Sequence, residues 1–267
     1  MNDKIEENIE VDKKKNIINE NFTDIPEVIS HETAPESREY ERTSTTVVSA
    51  YVTPIVKDYL ANLSRELKQM KLKVPLHITQ SNGGSMTANQ ASNQAVLTLF
   101  SGPVGGVVGG REICRSIEHP NMICIDMGGT SFDVSLIREG EVELKSEFEL
   151  QGLPILAPSV ELVSIALGGG SIIKELNGGL RVGPESAGSN PGPACYDKGG
   201  EKPTVSDANL ILGYLNPKGL VGGKLPLNYD KAFESIERNI ANPLNLSVEK
   251  SAYGIFTIVN NNMVNGI

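Results

Sequence analysis

Residues 125–133 read IDMGGTSFD, with an apolar run leading in and another leading out. Adjacent glycines let a tight turn present bare N–H groups to phosphate oxygens, because no Cβ stands in the way. Thr130 and Ser131 add hydroxyl donors to the same turn. Asp126 closes the incoming strand, where a carboxylate can hold Mg²⁺ directly or through water. Asp133 opens the outgoing strand and can orient the turn or a water. Together these groups suit the β- or γ-phosphate of a nucleotide. The alternative is a structural hairpin in which Asp126 and Asp133 cap the turn through Asx hydrogen bonds. A second glycine turn, LGGGS at 167–171, either passes under an adenine or ribose or is a loop crossing.

Other chemistry is sparse. His31, His77 and His119 stand alone, and each reads as structural or solvated rather than as a metal ligand. No Ser/His/Asp or Cys/His triad follows from the spacing. Cys195 lies in the rigid run PGPACYDKGG and reads as a buried structural thiol rather than a nucleophile.

The elements that position these residues follow from periodicity. Apolar residues at helical spacing (Val56, Tyr59, Leu60, Leu63, Leu67, Met70) predict a helix over about 54–71, with Pro54 in its first turn. VPLHITQ (74–80) predicts a strand running into a turn. SGPVGGVVGGREICRSI (101–117) predicts a helix whose Gly105, Gly106, Gly109 and Gly110 let it lie close to a neighbour. Residues 121–150 form the clearest β region, with turns at Gly128-Gly129 and Glu139-Gly140. Residues 151–205 predict mostly functional loop, with one hairpin around Asn177-Gly178-Gly179. Ser206 is the expected N-cap of the next helix, and two further helices follow it. Residues 1–30 are polar and predict a helical or frayed segment.

The totals set outer bounds. A chain of 267 residues can bury a sizeable core, and a net charge of −9 without a basic stripe argues against nucleic acid as a partner. Three widely separated cysteines predict reduced thiols in a cytoplasmic setting. No apolar run is long enough to predict a membrane span.

The segments PESREYERTSTTVVSAYVTP, QSNGG, SGPVGGVVGG, DMGGTSFDVSLI, GGGSI, VGPESAGSNPGPACYDKGG and PTVSDANLILGYLNP occur in this order. In them the chain, over roughly 30–235, resembles the hydantoinase A / 5-oxoprolinase family. That family includes N-methylhydantoinase, 5-oxoprolinase and the large subunits of ketone carboxylases. The resemblance implies an α/β fold of the actin-like ATPase (ribonuclease H-like) type, a mixed sheet with flanking helices, over residues 31–267 and truncated at both ends. It implies ATP and Mg²⁺ as cofactors, with Asp126 toward the metal. Gly128, Gly129, Thr130 and Ser131 would face phosphate, Asp126 and Asp133 would serve catalysis, and Gly168, Gly169, Gly170 and Ser171 would lie near the nucleotide. The implied function is nucleotide binding within an ATP-dependent cyclic amidase that opens 5-oxoproline or hydantoin rings through carbonyl phosphorylation. A ketone carboxylase subunit and a non-catalytic interaction fragment are the alternatives. A hydantoinase B-type subunit or domain is the implied partner. Two departures stand out. No first Asp-x-Gly-Gly-Thr hairpin precedes residue 100, so the isolated chain is expected to be inactive. Glu161 and Ala166-Leu167 replace the family's usual Asp and Gly-Ala.

Overall fold

A computed structural model describes residues 27–220 and 222–267. The helices are α1 (Ser30–Thr33), α2 (Glu39–Gln69), α3 (Ala88–Asn93), α4 (Ser101–Ser116), α5 (Val205–Ile211), α6 (Tyr229–Ile236) and α7 (Val248–Gly266), besides short helical turns. The strands are β1 (His77–Thr79), β2 (Ser85–Thr87), β3 (Met122–Met127), β4 (Phe132–Arg138), β5 (Glu141–Val142) and β6 (Leu144–Lys145). They continue with β7 (Phe148–Leu150), β8 (Leu153–Ile155), β9 (Ser159–Val160), β10 (Val163–Ile165), β11 (Ser171–Leu176) and β12 (Gly179–Ser186). Among the described residues no helix is long and apolar enough to cross a membrane. The polar segment expected over 1–30 lies largely outside the described residues. Its last residue, Ser30, opens α1.

The chain divides into two compact units. Unit one comprises the described residues up to 120 together with Ile137–Glu161. Its axis is α2, which starts at Glu39 rather than near 54 and carries Pro54 in its interior. An interior proline removes one backbone hydrogen bond and crowds the preceding turn. Packing on both sides of Pro54 offsets that cost. Val48 clusters with Val96, Ile155 and Ala157, while Leu60 clusters with Met86 and Ala91. The helix was hidden because its buried face is largely polar: Ser44, Thr45, Ser49 and Thr53 all point inward. Thr45 and Thr53 satisfy their hydroxyls on carbonyls one turn back, and Thr45 Oγ1 also accepts from the Leu156 N–H at 2.8 Å. Glu139 and Gly140, both at positive φ, turn β4 into β5 as expected. Of the α4 glycines only Gly110 is buried, and the others serve no tight packing among the described residues. A Cβ on Gly102, Gly105, Gly106 or Gly109 would meet nothing within 4 Å.

Unit two comprises Asn121–Leu136 and Leu162–Ile267. β4 lies between β3 and β10, with Asp133 opposite Ser164. The region beyond 151 is richer in strands than the sequence suggests: β8 to β12 all fall within it. β8, β9 and β10 are only two or three residues long, and β12 carries Gly and Pro, which hides the period-two pattern. β11 and β12 form the hairpin expected at Asn177-Gly178, whose positive φ values suit a tight turn. Every strand pair with a recorded register is antiparallel. The core joins Phe132 and Val134 from β4 with Leu167, Ile173, Val205, Ile236, Ile240 and Ile255. Thr204, not Ser206, caps α5. Its hydroxyl accepts from the Asp207 N–H while the Asp207 carboxylate accepts from the Thr204 N–H, a reciprocal capping box.

Candidate functional site

The loop between β3 and β4 is closed by the Gly128 N–H donating to the Ser131 carbonyl at 3.0 Å. Among the described residues, the N–H groups of Gly129, Thr130 and Ser131 meet no protein acceptor. Asp126, Gly128, Gly129 and Thr130 are exposed. Asp133 differs: it is only 6 % exposed and accepts a hydrogen bond from Ser131 Oγ at 2.9 Å. Its carboxylate therefore holds the loop from below rather than facing solvent. Phe132 and Val134, on either side of it, anchor the strand in the core.

The residues 168–171 cross directly behind this loop. Gly169 N–H donates to the Gly128 carbonyl at 3.0 Å and Gly170 N–H to the Gly129 carbonyl at 2.7 Å. The Gly168 N–H donates to Ser171 Oγ, and the Ser171 N–H donates back to the Gly168 carbonyl. All four N–H groups of this run are thus used within the protein. Gly168, Gly170 and Ser171 are buried.

Absence of side chains is what permits the crossing. A Cβ on Gly168 would lie 2.5 Å from the Thr130 nitrogen and 2.6 Å from the Gly129 carbonyl carbon. One on Gly170 would lie 2.9 Å from the Gly129 carbonyl oxygen. Neither Gly168 nor Gly170 has a positive φ, so the need for glycine there comes from close approach of two backbones. Leu167, just before the run, is 2 % exposed and fixes it in the core.

Sequence reasoning missed a third layer. The Ala187 N–H donates to the Gly170 carbonyl and the Ser206 N–H to the Gly169 carbonyl, both at 2.8 Å. Ser186 Oγ and Ser206 Oγ sit where a Cβ on Gly170 or Gly169 would fall. The segments GPESAG and TVSDAN carried that signal, as short polar residues beside the glycine run. Glu161 is not part of the crossing. It pairs with Lys145, whose hydrogen bond holds the Glu161 carboxyl below the usual range.

Behind these layers, Asp207 is fully buried. It accepts from the Cys195 N–H at 2.7 Å and from the Thr204 N–H and hydroxyl at 2.8 and 2.7 Å. Burial raises its carboxyl above the usual range, and the three donors offset only part of that. Cys195 is buried, as expected. Desolvation, then the charge of Asp207, pushes its thiol far up, opposite to what a nucleophilic cysteine needs. Among the described residues no group of three or more His, Cys, Asp or Glu could by itself hold a metal ion.

The hairpin braced by a glycine crossing is the kind of loop that binds an anion through backbone amides. The chain belongs to the hydantoinase/oxoprolinase family, whose model matches residues 42–267. It is 42 % identical to the caprolactamase subunit alpha of Pseudomonas jessenii over 238 residues, 89 % of this chain and 34 % of that protein. The crystal structure of the ATP-dependent caprolactamase from the same organism aligns with a TM-score of 0.68 at 39 % identity, over 95 % of this chain and 37 % of its own. A nucleotide-free acetone carboxylase, from work on ATP-dependent acetone carboxylation, aligns with a TM-score of 0.80 at 33 % identity, over 87 % of this chain and 33 % of its own. The 5-oxoprolinase 1 of Arabidopsis thaliana is 36 % identical over 88 % of this chain and 20 % of that protein. The chain thus spans about a third or less of the length of these relatives.

Proposed function

We propose that this chain supplies a nucleotide-phosphate hairpin, within an actin-like ATPase fold over 31–267, to an ATP-dependent enzyme that opens cyclic amides. The observation that carries the reading is the set of three unpartnered N–H groups at Gly129, Thr130 and Ser131, beside the exposed Asp126 carboxylate. Such donors fit an anion, and a single carboxylate fits a divalent cation that takes its remaining ligands from phosphate and water. ATP, when bound, supplies the phosphoryl group that makes an amide carbonyl oxygen a leaving group. The chain's own part is positioning. Gly129 to Ser131 hold charge through fixed amides, and Thr130 adds a hydroxyl. Asp126 orients the cation, with Mg²⁺ as the expected metal, and Asp133 fixes Ser131. Gly168, Gly169, Gly170 and Ser171 act one layer back, keeping the Gly128 and Gly129 carbonyls turned away from the anion.

The relatives that act on caprolactam and 5-oxoproline support a lactam or related ring as substrate. A ketone carboxylase is the second reading, favoured by the 0.80 TM-score to acetone carboxylase. Relatives described as alpha or beta subunits support a partner subunit, for which a hydantoinase B-type chain is the proposal. The test is ATP hydrolysis by the complete enzyme with Mg²⁺, in the presence of 5-oxoproline, caprolactam, hydantoin, or acetone with bicarbonate. Stimulation by a cyclic amide supports the amidase, and stimulation by acetone with bicarbonate alone transfers the reading to carboxylation. Asp126→Asn should weaken the Mg²⁺ dependence by about tenfold or more. An unchanged Mg²⁺ titration would remove Asp126 from the metal.

A further inference from the structure

Unit two contains a cleft of about 260 Å³ away from the glycine hairpin, between the loop 194–201 and the face of α6. Lys231, Glu234 and Ser235 line it from α6, and Arg238 lines it from the π-helical turn Glu237–Ala241 that continues the helix. Spacings of three, four and seven residues put these side chains on one helical face. π-Helical turns are uncommon and often mark functional positions. Asp197, Gly199, Gly200 and Glu201 form the opposite wall.

The fold uses the Ser235 hydroxyl, which donates to the Glu201 carbonyl, and the Asp197 carboxylate, which accepts from Asn228 Nδ2, but leaves other polar groups here available. Among the described residues Arg238 has no ion-pair or hydrogen-bond partner, and the N–H groups of Gly199 and Gly200 meet no protein acceptor. Lys231 makes only a long contact with Glu234, at 3.5 Å. Glycine keeps this wall low: Gly199 has a φ of +91°, and a Cβ on Gly200 would collide with the Gly192 carbonyl. Two cations and two free amides thus line the same small space as three acids, Asp197, Glu201 and Glu234, of which Asp197 already accepts the hydrogen bond from Asn228 Nδ2. Lys231, Arg238 and the amides fit a carboxylate, and the acids fit an ammonium group. A lone anion would leave the acids opposed, and a lone cation would leave Arg238 opposed. The volume is below that of a drug-sized pocket, which starts near roughly 300 Å³.

We infer that this cleft binds a short open-chain amino acid, a molecule with one carboxylate and one ammonium group. Water opening a lactam ring breaks the C–N bond. The carbonyl carbon gains the oxygen and becomes a carboxylate on losing its proton, and the nitrogen becomes an ammonium. The ring-opened product of a lactam therefore carries both groups that the cleft complements. Assigning the occupant as that product rests on the cyclic-amide reading, whereas the binding itself rests only on the cleft.

Calorimetric titration of the 267-residue chain, without ATP or cyclic amide, tests it. The probes are 6-aminohexanoate and glutamate, against hexanoate, hexylamine and inorganic phosphate. At least one amino acid should bind about tenfold or more tighter than any one-ended probe. Arg238→Gln and Glu234→Gln should each weaken it by about tenfold. Both side chains are exposed, and circular dichroism checks their folding; Lys231→Met provides a further variant. Absent saturable binding, equal affinity for hexanoate or phosphate, or unchanged affinity in Arg238→Gln would overturn the inference. If an amino acid binds but no cyclic amide stimulates ATP turnover, the cleft stands and the amidase reading fails. If turnover responds but no amino acid binds, only the cleft fails.

Discussion

Replacing Gly168 with alanine is the sharpest perturbation of the hairpin. The added methyl would sit 2.5 Å from the Thr130 nitrogen, 2.6 Å from the Gly129 carbonyl carbon and 2.8 Å from the Gly128 oxygen. These are backbone atoms, so no side chain can swing aside. Gly168 has no positive φ, and the penalty is steric alone. Forcing a methyl into such a site costs about 1–3 kcal/mol. For a protein of this size that lowers the Tm of the transition involving unit two by about 2–12 °C. The clash also pushes the two backbones apart. Amide exchange at 128–131 and 168–171 should therefore accelerate more than elsewhere in unit two. The matched control is Gly109→Ala on α4, where a Cβ meets nothing within 4 Å. Alanine there gains helix propensity and should stabilise by about 0.5–1 kcal/mol. The same chemical change is thus expected to act with opposite signs at two sites. A Gly168→Ala protein with wild-type Tm and wild-type exchange would refute the close crossing, and with it the bracing of the hairpin.

Three further outcomes follow from the buried groups and the loop. Asp207→Asn turns an amide donor toward the Thr204 N–H and should cost about 2–4 kcal/mol in urea unfolding, since a buried donor loses its acceptor. Because burial raises the folded Asp207 pKa, the unfolded state binds fewer protons there between the ordinary and the raised value. The stability advantage of wild type over Asp207→Asn should therefore be full below the ordinary Asp pKa and shrink as pH rises through the raised one; a growing advantage would refute the sign. Pulsed iodoacetamide at neutral pH should label the half-buried Cys124 first, and Cys114 and Cys195 only after denaturation, as read by mass spectrometry. Ser131→Ala removes the hydroxyl that donates to Asp133 and should reduce stability by about 0.5–1.5 kcal/mol, measured by thermal unfolding.

The sequence alone placed the hairpin between β3 and β4. Two glycines, two hydroxyl residues and flanking acids between apolar strands mark a tight turn, while the unpartnered amides at 129–131 are visible only in the structure. The I′-type turns at Glu139-Gly140 and Asn177-Gly178 were equally legible, because their conformation depends on a few adjacent residues. What packing decided lay elsewhere. The start of α2 at Glu39 was masked because its buried positions are Ser and Thr, whose burial depends on partners such as the Leu156 amide. The cap of α5 moved from Ser206 to Thr204 because Asp207 answers Thr204 and also holds Cys195 from a distant loop. Above all, one string of glycines has two physical meanings. In α4 Gly102, Gly105, Gly106 and Gly109 face open space, whereas at 168–170 the glycines admit another backbone to within contact of the β3–β4 loop. Spacing cannot distinguish these cases, because the difference lies in what stands opposite each missing side chain, and only the tertiary structure brings residues 128–130 and 168–170 together.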